Sequence, residues 1–355
     1  MSEPEIITEI AGTCGIITLN RPAALNALTL GMVREMARAL DRWETDPSIH
    51  YIIVKGAGDK AFCAGGDIRI LYELGKAGRH TEQLSFWREE YYLNRRIKLY
   101  AKPIIALVDG IVMGGGAGVS VHASHLVAGD KLSFAMPEVG IGFCPDVGAS
   151  FFLPRLAGRS GLYLALTGTR MSCGDAVASG LGHIYVPSTR HADLLGRLIG
   201  GEDLGAAIAA ETALPPASAL SEHRALIDRC FAAPTIPGIL AELDKEGHKG
   251  AEFARVAAEA IRSKSPTSLA IALHQMRIGA NLNIDEALRM EFRLVSRIAR
   301  NHDFYEGVRA VIIDKDNRPH WKPAEIENLT AAAIESYFAP LPEGELEFHT
   351  QVCCP

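Results

Sequence analysis

Glu138 and Asp146 each follow a proline inside an otherwise apolar stretch, FAMPEVGIGFCPDVGASFFLPRL, running from Phe134 to Leu156. Carboxyls among apolar neighbours are candidates for acid/base work. Upstream, the apolar run Pro103 to Val108 leads into Gly114-Gly115-Gly116, and the small apolar residues Ala117 to Ala123 follow. Three consecutive glycines cost backbone entropy and mark a place where the main chain approaches something closely. A glycine turn feeding a helix start aims unpaired N–H groups at one spot, where they hold an anion or a developing oxyanion. A second such turn, Gly65-Gly66, lies in the loop Gly56 to Gly66. Two turns offer two donors, which is what a thioester carbonyl oxygen needs. The combination points to chemistry on an acyl group.

Each piece also has a plain structural reading. Asp146 suits a helix N-cap. Glu138 suits a helix start through the dipole. Glu90 lies in Arg88-Glu89-Glu90, where a solvated helix face is the default. The glycine triplet on its own also fits tight helix–strand packing. It is not a dinucleotide fingerprint: with Gly114 and Gly116 as its first two glycines, the third position is Val119. No G-x-x-x-x-G-K-[ST] loop occurs. Gly118-Val119-Ser120-Val121-His122 resembles a nucleophile elbow whose last glycine is replaced. His122 and His125 lack zinc-site spacing and read as packing histidines; no metal site is expected.

The elements that must position these groups alternate. Glu5 to Glu9 and Gly15 to Leu19 read as strands around the turn Ala11-Gly12-Thr13. Thr29 caps a helix with Met32, Val33, Met36, Leu40 and Trp43 on one face. Tyr51 to Val54 is a β-branched strand, and a longer helix spans Gln83 to Leu99. Ala117 to Ala123 suits a buried helix. From about Ser160 the pattern turns helical, with segments at Gly161 to Thr167, Cys173 to Ser179 and Ala192 to Ile199. The alanine- and proline-rich run Leu204 to Ala219 is the best boundary, which gives a core of residues 1–203 and a helical region of residues 204–355. Further helices are expected near Ala251 to Ser263, Ser268 to Asn281, Ile284 to Arg300 and Ala324 to Phe338. Alternation of this kind implies an α/β layer fold.

Composition bounds the rest. With 355 residues, 48% apolar, the chain holds a real core. A net charge of −6 argues against a general nucleic-acid or anionic-membrane surface. No apolar run reaches membrane-span length. The start, MSEPEIITEI, reads as neither secretory signal nor transit peptide, and the seven scattered cysteines read as reduced thiols. A cytoplasmic location is therefore expected, with Cys353-Cys354 as a solvated tail feature.

KAFCAGGDIRIL (Lys60 to Leu71), MGGGAGVSVH (Met113 to His122) and Ala24-Leu25-Asn26-Ala27-Leu28 together resemble the crotonase (enoyl-CoA hydratase/isomerase) superfamily. The Glu138/Asp146 stretch, SPTSLAIALHQM (Ser265 to Met276) and DFYEGVRAVIIDKDNRPHWKP (Asp303 to Pro323) resemble its 3-hydroxyisobutyryl-CoA hydrolase branch, nearly along the whole chain. The resemblance implies a spiral of β-β-α units with a helical C-terminal region that covers the site and often builds homo-oligomers. It places Gly66 and Gly115 at the oxyanion hole, and Ala24, Leu25 and Ala27 at the CoA pocket. Arg69 falls near the CoA phosphates, and Glu90, Gly115, Glu138 and Asp146 contact the substrate. CoA is then part of the substrate, and no separate cofactor is implied. Hydratases of the superfamily use two glutamates, the first three residues after the middle glycine. That position here is Gly118, which favours thioester hydrolysis, with valine breakdown implied. A hydratase, a relaxed acyl-CoA thioesterase and a non-catalytic acyl-CoA-binding protein are the rival readings.

Overall fold

A computed structural model describes residues 3–348, so Cys353 and Cys354 lie outside the described residues. Among the described residues, ten short strands build two sheets. The first pair, β1 (Ile6–Ala11) and β2 (Cys14–Leu19), is antiparallel around the expected turn. Thereafter the chain climbs in repeated units. The strands β3 (Tyr51–Gly56), β5 (Ile104–Val108), β7 (His125–Ala128) and β10 (Ile184–Tyr185) join the larger sheet in parallel, in the order β1-β2-β3-β5-β7-β10. Their successors β4 (Ala61–Cys63), β6 (Ile111–Met113) and β8 (Ser133–Ala135) form a smaller sheet that β9 (Met171–Ser172) closes antiparallel, in the order β4-β6-β8-β9. The fold is thus the expected α/β spiral. Parallel strands covered on both faces must be apolar throughout. Every residue of β5 is buried accordingly.

The helices that matter for the site follow the strand ends. The first helix, α1 (Leu30–Glu44), is capped by Thr29, whose hydroxyl accepts the Met32 N–H at 3.2 Å; Met32, Val33, Met36, Leu40 and Trp43 are buried as the spacing predicts. Then come α2 (Ile68–Lys76) and the long α3 (His80–Leu99), which starts three residues before the predicted Gln83. The helix predicted over Ala117 to Ala123 is instead a single turn, α4 (Gly115–Gly118), that relaxes into turns before β7. Ser120 accounts for part of this: its hydroxyl donates to the Gly116 carbonyl at 2.8 Å, offering the backbone an alternative to continued helix.

Leu204 to Ala219 is only partly a linker. A helix covers Leu204–Glu211, capped by Asp203, and residues 212–218 are irregular. The last helix begins at Ala331 rather than Ala324, because Thr330 accepts the Ala333 N–H at 3.1 Å and fixes the start. Helices at Arg224–Cys230, Ile236–His248 and His302–Val308 were not predicted. One buried apolar cluster runs from Ile6 to Leu346 and includes residues of both the strand-rich and the helical regions. Among the described residues, no helix is long and apolar enough to cross a membrane.

Candidate active site

The two glycine turns meet at the edge of the smaller sheet. Hydrogen bonds from Leu28 N to Gly65 O and from Asp67 N to Leu28 O, both 2.8 Å, flank Gly66 and leave its own N–H outside that pairing. Gly115 opens α4, so its N–H has no partner within the helix. Among the described residues neither N–H has a protein acceptor. The glycines are required by space. A Cβ on Gly115 would lie 3.2 Å from Gly66 N and 2.4 Å from Glu90 Oε1. One on Gly116 would lie 2.2 Å from the Cys63 carbonyl oxygen. Gly114 holds φ of 46°, a region that favours glycine.

Beside these turns stand the carboxyls. The turn of α3 bearing Trp87, Glu90, Tyr91 and Asn94 is buried, so Glu90 leaves the solvated face that its charged neighbours suggest. Glu138 opens a short 3-10 turn, Glu138–Ile141, and does not cap an α-helix. Nor does Asp146 act as an N-cap: the one-turn helix α5 (Ala149–Phe152) has no side-chain cap, and Asp146 Oδ2 accepts the Tyr91 hydroxyl at 2.9 Å. Glu90, Glu138, Asp146, Gly66 and Gly115 all line one cavity of ≈ 360 Å³. Its apolar wall includes Phe86 and the stacked rings of Trp87 and Phe143, with centroids 5.4 Å apart. Val311 and Ile312 from the C-terminal region and the half-buried Lys264 complete the lining.

The electrostatics are unbalanced. Glu90 Oε1 and Glu138 Oε2 are buried without a hydrogen-bond partner, as are both amide atoms of Asn94. Burial pushes the Glu138 and Glu90 carboxyls well above the usual carboxylate range, and the nearby Asp146 charge pushes them further. Burial raises Asp146 to about 7, against the opposing hydrogen bond from Tyr91. Like charges this close do not all ionise together near neutral pH. The site therefore keeps protons on some carboxyls, as acid/base chemistry at neutral pH requires.

The segment carrying Asp146 is held from several sides. Val147 has φ of 55°, strained for a β-branched residue, and Gly148 follows at φ of 86°. His122 Nε2 donates to Val147 O at 2.7 Å; burial pushes its pKa down to about 4, so it stays neutral and serves packing as expected. Gln275 Nε2 donates to Pro145 O and, at 2.7 Å, to Ser150 Oγ. Glu291 accepts Gly148 N at 2.7 Å and Ser150 N at 2.8 Å. Neither Tyr91, Gln275 nor Glu291 was singled out as functional from sequence. Glu291 had a readable signal: Ile284, Ala287, Leu288, Leu294, Val295 and Ile298 form the buried stripe of the helix Ile284–Ile298, and Glu291 sits within that stripe. A carboxyl there needs a buried partner.

The other predicted contacts lie outside the cavity. Ala24 is exposed and Leu25 and Ala27 are half-buried. Their loop runs beside Gly65, because Ala64 N donates to Leu25 O at 3.0 Å. Asn26 pins the loop from below through hydrogen bonds to Ala57 O and Ala61 O, both 2.9 Å. Arg69, exposed on α2, donates to Ile312 O at 3.1 Å. Ser120, spent on Gly116 O, is no free nucleophile.

Two sheets in a spiral, with glycine N–H groups and buried carboxyls lining one apolar cavity, define an α/β enzyme-like scaffold for acyl groups. The family model described as enoyl-CoA hydratase/isomerase matches residues 14–338, and the chain belongs to that family. Among curated relatives, the mitochondrial 3-hydroxyisobutyryl-CoA hydrolase of Danio rerio is 44% identical, over 97% of this chain and 91% of the relative. The Homo sapiens protein of the same name is 43% identical over the same shares. Among solved structures, one described as a carnitinyl-CoA dehydratase from Mycobacterium thermoresistibile superposes with a TM-score of 0.92 at 41% identity, covering 98% of this chain and 99% of the other. Another, described as an enoyl-CoA hydratase from Rhodobacter sphaeroides, gives 0.89 at 40% identity, covering 97% and 100%.

Proposed function

We propose that the chain hydrolyses the thioester of 3-hydroxyisobutyryl-CoA, or of a close short 3-hydroxyacyl-CoA, to the free hydroxy acid and CoA. The observation that carries this reading is the cavity's polarity: two unpaired glycine N–H groups and, beside the same glycine turn, the unpartnered buried carboxyl oxygens of Glu90 and Glu138. The thioester oxygen accepts from Gly66 and Gly115, which hold the charge of the tetrahedral intermediate. Loss of one such donor costs about 3–4 kcal/mol of barrier. In its ionised form Glu138 attacks the carbonyl; the C–S bond breaks, CoA leaves as the thiol with a proton from a neighbouring protonated carboxyl, and water then cleaves the mixed anhydride to the free acid. In the other route Glu138 takes a proton from the attacking water, and the tetrahedral intermediate collapses with the same C–S cleavage. Asp146 and Glu90 bind the substrate hydroxyl and place water. A site built to read a hydroxyl rejects analogues lacking it by roughly 10⁴-fold. The Ala24, Leu25 and Ala27 loop and Arg69 take the CoA portion.

Two of the similar solved structures are described as a dehydratase and a hydratase, so alkene hydration is the second reading. Position 118 argues against it. It is glycine, and the space a side chain would need is filled: a Cβ there would lie 2.6 Å from Asn94 Nδ2 and 2.8 Å from Val147 Cβ. The test offers 3-hydroxyisobutyryl-CoA and crotonyl-CoA separately. Free thiol from the first supports the hydrolase, and loss of enoyl absorbance with the second alone would overturn it. A panel of short 3-hydroxyacyl-CoA thioesters separates a specific enzyme from a relaxed thioesterase.

Valine breakdown, a cytoplasmic location and a homo-oligomer belong to the same reading, as does the division into a core of residues 1–203 and a covering region of residues 204–355. The five described cysteines are free thiols, as a reducing compartment requires. The curated relatives are named mitochondrial, so recovery of this protein in an organelle fraction would contradict the cytoplasmic placement.

A further inference from the structure

We infer that Glu291 is a positioning residue for Asp146, acting on the reaction through the turn that presents this carboxyl and not through the substrate. The inference rests on the catalytic reading of Asp146 given above.

Asp146 is followed by two residues in left-handed backbone, Val147 at φ of 55° and Gly148 at φ of 86°. A β-branched residue does not adopt that conformation unless its surroundings impose it. The restraint comes from outside the turn. Glu291 is fully buried, and its two oxygens accept the N–H groups of Gly148 and Ser150 at 2.7 and 2.8 Å. These are backbone donors at the start of α5, which has no side-chain cap of its own. One carboxyl group on the distant helix Ile284–Ile298 thus takes the place of a local cap and grips the turn from its C-terminal side. Gln275 holds the preceding residue by its Pro145 carbonyl, and His122 holds the Val147 carbonyl at 2.7 Å. On the other side, Tyr91 holds the Asp146 carboxyl itself at 2.9 Å. Glu291 does not line the cavity. Burial pushes its own pKa to about 8. Two charge-assisted backbone bonds oppose that rise and favour the ionised form.

A neutral amide cannot do the same work. In Glu291→Gln one oxygen still accepts, but the amide nitrogen meets a second N–H group donor to donor. The turn then shifts, and Asp146 moves with it while the cavity walls stay. Small misplacements of a reacting group weigh on turnover more than on binding.

The test is a double-mutant cycle on thiol release from 3-hydroxyisobutyryl-CoA, using the unmodified enzyme, Glu291→Gln, Asp146→Asn and the double variant. The expected result is that Glu291→Gln lowers kcat by about 30-fold with KM within about threefold. In the Asp146→Asn background the same change lowers kcat by less than about twofold, because its target is gone. Should Glu291→Gln fail to fold, Glu291→Asp replaces it in the same cycle; the shorter carboxylate keeps the charge and reaches only one N–H. An equal loss in both backgrounds, or a kcat unchanged by the Glu291 change, would overturn the inference. Near-normal turnover by Asp146→Asn alone would instead overturn the catalytic reading of Asp146, and the inference with it.

Discussion

The two walls of the cavity are built on opposite principles. The glycine wall is made of backbone, and its constraint is volume. Gly115 and Gly116 sit where an added methyl would collide, at 2.4 Å with the tip of Glu90 and at 2.2 Å with the Cys63 carbonyl. The carboxyl wall is made of side chains, and its constraint is charge. Glu90, Glu138 and Asp146 are buried and raised in pKa by that burial, and Glu90 and Glu138 each keep an oxygen without a partner. One wall is over-determined by packing. The other is held in an unfavourable state by residues drawn from α3, the helix Pro266–Gly279 and the helix Ile284–Ile298. Stability therefore resides in the first wall and is sacrificed in the second, which is the usual relation between activity and stability at a catalytic centre.

The contrast is broken most severely at Gly116. Gly116→Ala drives a methyl into backbone that cannot yield, and a Tm lower by about 5–10 °C is expected in a thermal melt. Gly115→Ala is the revealing control on the same turn. Its methyl meets a movable carboxyl, so the fold survives within a few degrees, while displaced Glu90 costs about 10²-fold in kcat/KM by thiol-release assay.

On the other wall, Asp146→Asn should have the opposite signature, losing about 10²-fold in kcat yet gaining stability. Asp146 titrates near 7 when folded and near 4 when unfolded, so its contribution is fully present below about pH 4 and lost as pH rises through 7. The variant should melt several degrees above the unmodified protein at pH 8, with no gain at pH 4. A Tm unchanged at pH 8 would show that the Asp146 charge is already compensated. The smallest effect is expected from Tyr91→Phe. It removes one hydrogen bond that lowers the Asp146 pKa, so the acid limb of the pH–rate profile moves to higher pH, with turnover at pH 8 within about tenfold.

The sequence exposes these walls unequally, for the same reason. Gly114-Gly115-Gly116 and Gly65-Gly66 are local signals, because a backbone that must approach closely demands glycine wherever the rest of the chain goes. Strand alternation, the Thr29 cap and the buried face of α1 are local too, and they fall where expected. Glu138 and Asp146 stand out by their apolar flanks. Their partners do not, since Tyr91, Gln275 and Glu291 come into contact with the Asp146 segment only through tertiary packing at sequence separations of 55, 130 and 143. Glu90 is legible only through the family resemblance, because its neighbours Arg88 and Glu89 are charged and half-buried while it alone is fully buried. The overlong reading of Ala117 to Ala123 failed because apolar composition marks burial, not helix, and Ser120 competes for the backbone.

Everything proposed for this cavity depends on Glu138 acting on a carbonyl held by the glycine wall. The most direct measurement is single-turnover thiol release from 3-hydroxyisobutyryl-CoA by the unmodified enzyme and by Glu138→Gln, both checked to be folded by their melts. A loss of about 10³-fold or more is expected for the variant with its Tm maintained; release within tenfold of the unmodified enzyme would rule out this role for Glu138.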